Sequence, residues 1–448
     1  MANSRKPISK PAKSAVLPAG SLSEISIEGF KSIRAERKLE LSALNIVAGA
    51  NSSGKSSFMQ PLLLLKQTLE ATYDPGPLLL DGPNVKFTEL AQIFSKSSSK
   101  KQLQIGLSRV DGAKLKMIFD LDSKRRLRVK ETVLTDEKGV VQRITESTTE
   151  AELFAHLKND HHKGGIQWSH IMKEESLKVI RQRIFLRTAV IFKEGEQVFP
   201  LPGGWDEFGD SIGRNIIHVP GLRGNPLRSY PKTAVGAHYP GTLDSYVASI
   251  IADWQEKGDD RLSQLGRQLQ QLGLTWKVVA KKLDDTRVEL QIGRLPAAVQ
   301  GGANDLVSIA DVGFGVSQVL PVLVALLVAG KEQIVYIEQP ETHLHPRAQR
   351  ALAQIFAEAA SRLATVVVET HSLLFVRAVQ TLVAKKALDK TLVKLHWVTR
   401  DNKGDTSIAT TDLDEAGAYG AWPQDFEATE LDAEQDYLSA AEAVLLAP

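Results

Sequence analysis

Nine residues near the start of the chain, Gly49-Ala50-Asn51-Ser52-Ser53-Gly54-Lys55-Ser56-Ser57, follow the pattern GxxxxGK[ST]. Glycines at these positions let backbone N–H groups close around phosphate oxygens, and a following helix N-terminus adds partial positive charge. Lys55 is then placed to reach β- and γ-phosphates, and the Ser56 hydroxyl to hold Mg²⁺. An apolar strand, Leu44 to Ala48, precedes the loop, and an apolar helix, Phe58 to Leu69, follows it. That context favours a phosphate-binding loop over an ordinary glycine turn. The expected ligands are ATP and Mg²⁺.

Three later segments carry matching chemistry. Ile334-Val335-Tyr336-Ile337-Glu338 is an apolar strand ending in a carboxylate, suited to ordering Mg²⁺, and Gln339, Pro340 and Glu341 follow it. Thr365 to Val368 is a second buried strand, leading into Glu369-Thr370-His371-Ser372. Upstream, Gly313-Phe314-Gly315-Val316-Ser317 is a glycine/serine turn opening a helix, which offers N–H groups to a second phosphate.

This order of motifs resembles the ABC-type ATPases, in particular their RecF, SMC and OLD branch. The run Ile337 to Pro346, with Asn51 to Ser57 and Gly313 to Pro321, resembles the stand-alone AAA-type ATPases of phage-defence operons, such as those of the Septu and PARIS systems. Trp422-Pro423-Gln424-Asp425-Phe426 looks like the same group's C-terminal signature. The resemblance implies that Lys55 and Ser56 bind phosphate and Mg²⁺ and that Glu338 orders the metal through water. It implies that His371 senses the γ-phosphate, and that Gly313, Gly315 and Ser317 meet the nucleotide of another subunit. It therefore implies a homodimer or higher oligomer, controlling an effector such as a nuclease or toxin encoded nearby. A RecF-like DNA-repair or DNA-clamping ATPase is the alternative. A transporter subunit fits less well, given the long stretch between the loop and the Gly313 turn.

Gln339 departs from the glutamate that polarises water in most of that class. An amide orients water but accepts no proton at neutral pH. Three readings stand: Glu341 or His371 takes the role, the protein is a slow ATPase working as a switch, or the chain carries an engineered Glu→Gln change. The slow switch is favoured.

The elements that must position these groups read as an α/β chain with mixed parallel and antiparallel sheets. Residues 1–20 form a basic arm expected to be disordered. Residues 21–147 hold the P-loop and a β-meander of alternating strands at 103–107, 115–121 and 127–133. Residues 148–300 read as an inserted α/β region, with helices at 150–158, around 170–182, at 243–254 and at 261–272. Strands are expected at 185–199, 276–279 and 288–292, and an irregular Pro/Gly-rich segment spans Val219 to Gly241. Residues 301–404 complete the ATPase head, beginning with a strand at Asp305 to Asp311, and 405–448 form an acidic tail. No heptad pattern supports a long coiled coil.

The 448 residues include no cysteine, which excludes disulfides and thiolate chemistry. No apolar run reaches the ~20 residues that span a bilayer. A cytoplasmic, non-membrane protein is expected. The net charge of +2 hides an asymmetry, because all 55 basic residues lie before Gly404 while eleven acids follow it. The basic body could attract DNA.

Other signals weigh less. His343 and His345 form an HxH, read as structural, and His156, His161 and His162 read as a solvated loop. Arg126, Arg128 and Lys130 share a strand face that reads as a charged sheet edge. Arg223 and Arg228 are expected either to pair with acids or to reach nucleotide. Gln92 is a candidate link to nucleotide, and Asp412 and Asp414 form a DxD without room for a nuclease domain.

Overall fold

The computed structural model describes residues 17–96, 101–159, 176–191, 198–201, 204–295 and 305–420, with 435, 438 and 439. The chain starts with β1 (Leu22–Glu28), β2 (Arg37–Glu40) and β3 (Leu44–Ala48). A 3-10 turn, Lys55–Phe58, leads into α1 (Gln60–Glu70). β4 (Gln102–Arg109), β5 (Lys114–Leu121), β6 (Leu127–Thr135) and β7 (Val141–Thr145) follow. With β1 and β2 they make an antiparallel sheet in the order β2-β1-β4-β5-β6-β7. Leu103, Ile105, Leu107, Leu115, Met117, Phe119 and Val129 of the alternating segments join one core with the central sheet.

The middle of the chain contains α2 (Glu150–Asn159), β8 (Ser176–Gln182), β9 (Phe185–Ile191), β10 (Val198–Pro200), α3 (Gly204–Gly213), β11 (Ile216–Val219) and β12 (Tyr230–Pro231). It continues with α4 (Val247–Lys257), α5 (Asp260–Gln271), β13 (Val278–Lys282) and β14 (Arg287–Gly293). The helix expected around 170–182 is corrected over its described part. Residues Ser176–Gln182 pair along their whole length with β9, and that ladder outweighs a local helical pattern. Residues 170–175 lie outside the described residues. α3 and β11 were not anticipated.

The last part holds β15 (Leu306–Ser308), α6 (Phe314–Val328), β16 (Ile334–Glu338), α7 (Pro346–Ala360), β17 (Thr365–Glu369), α8 (Leu373–Ala384), β18 (Val393–Arg400) and β19 (Thr406–Asp412). The strand expected over Asp305 to Asp311 is shorter: Leu306–Ser308 pairs with β14, and Ile309–Asp311 coils into a 3-10 turn. The central sheet runs β11-β16-β17-β3-β18-β19, parallel except for the β18–β19 hairpin.

Each central strand serves two cores. Leu44, Ile46 and Ala48 of β3, Val335 and Ile337 of β16, and Val366 and Val368 of β17 join a core with α4 to α8. Val47, Ile334, Tyr336 and Val367 face the other way, into a core with α1 and the antiparallel sheet. Burial on both faces is why these strands are unbroken apolar runs. β17 lies between β3 and β16, with Glu369 opposite both Val47 and Glu338. Among the described residues no helix is long and apolar enough to cross a membrane.

One buried cation ties the P-loop helix to the middle of the chain. Lys66 of α1 is wholly buried, pairs with Glu70, and donates to the carbonyls of Tyr239 and Gly241 at 3.2 and 3.1 Å. Glu70 also accepts from Gly241 N at 3.0 Å. Lys66→Met is expected to lose about 3 kcal/mol in urea unfolding, because it leaves Glu70 and two carbonyls without their donor.

Candidate nucleotide-binding site

The P-loop leaves β3 with Gly49 at φ 152 and turns back at Gly54 with φ 104, in the left-handed region that glycine tolerates. A Cβ on Gly54 would lie 2.6 Å from Thr406 Oγ1, and one on Gly49 would collide with the Val398 carbonyl. Thr406, in the β18–β19 hairpin, closes the loop from outside. Its Oγ1 donates to Ser53 O at 2.9 Å, and its N–H donates to Ser32 O at 2.8 Å. Arg37 pairs with Asp405 next to it.

Lys55 is buried and donates to Gly49 O at 3.0 Å and Ala50 O at 2.8 Å, leaving one of its three N–H groups for an anion. Burial lowers its pKa, while the charges of Glu369 and Glu341 work against that. Asn51, Ser52, Gly54, Lys55, Ser56 and Ser57 line a cavity of about 830 Å³, which Gln60, Gln92, Gln339, Glu369 and His371 also line. Six cationic side chains face it (Lys31, Arg34, Lys55, Lys96, Arg400 and Lys403) against one carboxylate, Glu369. That volume and charge suit a nucleoside triphosphate.

The resemblance gives Ser56 and Glu338 as the groups that hold and order Mg²⁺. In the structure Ser56 Oγ donates to Glu369 Oε2 at 2.8 Å, and Tyr336 OH donates to Glu369 Oε1 at 2.5 Å. Glu338 is one strand further away. Its Oε1 lies 3.2 Å from His218 Nε2, and its Oε2 accepts from Gly221 N at 3.2 Å. His218 stacks on Tyr336 with centroids 5.3 Å apart. The two neighbouring carboxyls are driven apart. Burial, with the charge of Glu338, pushes Glu369 up to about 7. Burial pushes Glu338 the same way, but His218, Gly221 and Tyr336 bring it below the usual range. Hydroxyl and carboxylate oxygens are the donors that Mg²⁺ takes.

Gln339 holds a left-handed backbone, φ 43, and its side chain lines the cavity. Its N–H donates to Glu369 O at 2.8 Å. Glu341 is not part of the cavity wall. Its Oε1 accepts from Thr370 Oγ1 at 2.9 Å and His371 N at 2.8 Å, which braces the end of β17. His371 lines the cavity, and burial together with the Lys55 charge lowers its pKa.

Gly313, Gly315 and Ser317 lie apart from the cavity at the start of α6. Ser317 Oγ donates to Phe314 O at 3.1 Å, and Phe314 is exposed beside His343, with ring centroids 5.7 Å apart. The HxH has structural work, since His345 caps α7 by accepting from Arg347 N. Among the described residues no group of three or more His, Asp or Glu could hold a metal ion by itself. Gln92 lines the cavity and also closes a capping box with Glu89. Arg228 pairs with Asp311 at 2.7 Å, and Arg223 reaches backbone carbonyls. Arg126 and Arg128 pair with Asp122, Asp120 and Glu146, and Asp412 pairs with Lys394. His161, His162 and Trp422 to Phe426 lie outside the described residues.

Sequence reasoning passed over Glu369, Tyr336 and His218. The signal for Glu369 was present, since β16 and β17 both read as apolar residues ending in glutamate. The cations Lys31, Arg34, Arg400 and Lys403 gave none, being scattered in sequence.

Residues 21–182 match the family model described as "AAA ATPase domain", and residues 206–377 match "AAA domain, putative AbiEii toxin, Type IV TA system". No curated protein matches the chain. Solved structures similar to it include an SMC head bound to the C-winged helix domain of ScpA, at 14% identity and a TM-score of 0.47, covering 88% of this chain and 99% of that one. The SMC head domain from Thermotoga maritima aligns at 11% identity and TM-score 0.38, over 87% and 98%. An SMC head from Pyrococcus furiosus with an extended coiled coil aligns at 12% and 0.42, over 88% and 96%. Two segments of the chain thus match models of AAA-type ATPase domains.

The raised pKa of Glu369 makes the unliganded protein sensitive to pH. An ordinary glutamate ionises near 4.5, so between there and about 7 the folded state binds the extra proton and stability falls as pH rises. Glu369→Gln removes that loss. Without nucleotide or magnesium, its melting temperature should exceed the parent's at pH 8, and the gap should shrink toward pH 5.

Proposed function

We propose that the chain binds ATP with Mg²⁺ and hydrolyses it slowly to ADP and phosphate. ATP joins two copies into a dimer or a higher oligomer, and the closed form controls an effector, a nuclease or toxin encoded nearby, in cytoplasmic anti-phage defence. The observation that carries the ATP reading is the cationic cavity built on Lys55 and Ser56. Lys55 and the backbone of Gly49 to Ser57 would hold the phosphates. Ser56 and Glu369 would hold Mg²⁺, with Glu338 behind them, and the metal would neutralise charge on the transferred phosphoryl group.

Slow turnover follows from what faces the cavity. Gln339 brings an amide to the cavity wall, and Glu341, whose Oε1 is held by Thr370 and His371, is not part of that wall. Among the described residues that line the cavity, His371 is the one histidine. The dimer is supported by the start of α6, where Gly313, Gly315 and Ser317 stand clear of their own cavity. A toxin-linked role is supported by the family model that residues 206–377 match, whose description names a toxin. A DNA-clamping role gains little from the strand face at Arg126 and Arg128, whose charges are paired.

Lys55→Ala is expected to weaken ATP binding by about tenfold or more in titration calorimetry. Gln339→Glu should raise steady-state phosphate release by about tenfold or more. If Glu341→Ala instead abolishes a substantial parental turnover while ATP still binds, Glu341 is the base and the slow-switch reading fails. Co-purification with the protein encoded alongside supports the effector role. Salt-sensitive duplex binding that ATP strengthens would replace it with DNA clamping.

A further inference from the structure

Arg223 is over nine-tenths buried, in the loop that leaves β11, and among the described residues it meets no carboxylate at ion-pair distance. Its guanidinium is spent on backbone carbonyls of three separate segments. Nε donates to Pro220 O at 2.9 Å within its own loop. Nη1 donates to Gln318 O in the first turns of α6 at 2.8 Å. Nη2 donates to Glu338 O at 2.6 Å and Gln339 O at 3.2 Å, where β16 ends. Gln318 returns the contact, its Nε2 lying 3.2 Å from Arg223 O and 3.3 Å from Gly224 O. Further along the same loop, Arg228 holds Asp311 just before α6. The loop therefore clasps α6 on both sides of the Gly313 turn and clasps the Gln339 peptide as well.

Resting on the ATP-switch reading above, we propose that Arg223 is a positioning residue that locks the left-handed Gln339 to the start of α6. Any shift of Gln339 then moves the exposed end of α6. Gln339 costs strain to hold, of order 1–3 kcal/mol for a non-glycine residue in this region. Its backbone is gripped on both sides, by Glu369 O on the N–H and by Arg223 on the carbonyl. Only a planar fork reaches Gln318, Glu338 and Gln339 together; a lysine ammonium cannot span the same geometry. Arg223 does not line the nucleotide cavity, so its effect passes through Gln339 and α6.

The test uses the full chain with Arg223→Lys and Arg223→Met. ATP affinity by equilibrium dialysis should stay within about threefold of the parent, while ATP-dependent dimer formation and single-turnover rate fall about tenfold or more. Arg362→Met is the control for packing alone. Arg362 donates to Leu326 O at the far end of α6, at 2.6 Å, away from Gln339. It should lower the melting temperature without changing the ratio of dimerisation to ATP affinity. Should the Arg223 variants not fold, Gln318→Leu loosens the same clasp without removing a buried charge, and should show the same split to a smaller degree. Equal loss of affinity and dimerisation, or no change in either, overturns the role of Arg223. A parent protein that binds ATP without dimerising overturns the switch reading itself.

Discussion

Three parallel strands buried on both faces must end on the same edge of their sheet, and the whole site hangs from those ends. β3 delivers the P-loop, β17 delivers Glu369 and His371, and β16 delivers Glu338 and Gln339. Their register is enforced by two cores at once. A slip of one residue would turn Val47, Tyr336 and Val367 into the helical core and their neighbours out of it. Carboxylates, hydroxyl and lysine are thus brought together by hydrophobic burial, and their electrostatics is a consequence of where the strands stop.

That electrostatics is costly. Glu338 and Glu369 are adjacent across the ladder, Glu369 buried and Glu338 partly so. The structure manages them unequally. Glu338 keeps its charge against His218 and a backbone N–H, and Glu369 is left to titrate near neutrality between two hydroxyls. A divalent cation is the natural relief for such a pair. The surrounding ring of lysines and arginines favours a polyanion over water alone.

Much of this was legible in the chain. β3, β16 and β17 were readable because doubly buried strands must be continuously apolar, and the P-loop because its glycines and lysine have few other uses. What escaped was set by tertiary contact. β8 pairs with β9 against a helical local pattern. β11 has only four residues, too few for a periodic signal, yet it forms an edge of the central sheet. Ser56 takes Glu369 and not Glu338 because sheet order puts β17, not β16, beside β3. Order within a sheet has no local sequence trace. Arg223, weighed from sequence between acids and nucleotide, spends its hydrogen bonds on backbone carbonyls, which every residue carries.

The contact between Thr406 and the P-loop has a consequence for how the protein is made. Gly54 and Thr406 are separated by some 350 positions, yet the hydroxyl of one closes the loop of the other. On the ribosome the P-loop emerges early, but β17, β18 and the hairpin that fasten it arrive only when most of the chain has been synthesised. A nascent or broken polypeptide would hold the loop's sequence without its shape. The loop's closed shape would therefore be acquired late, as a property of an intact chain.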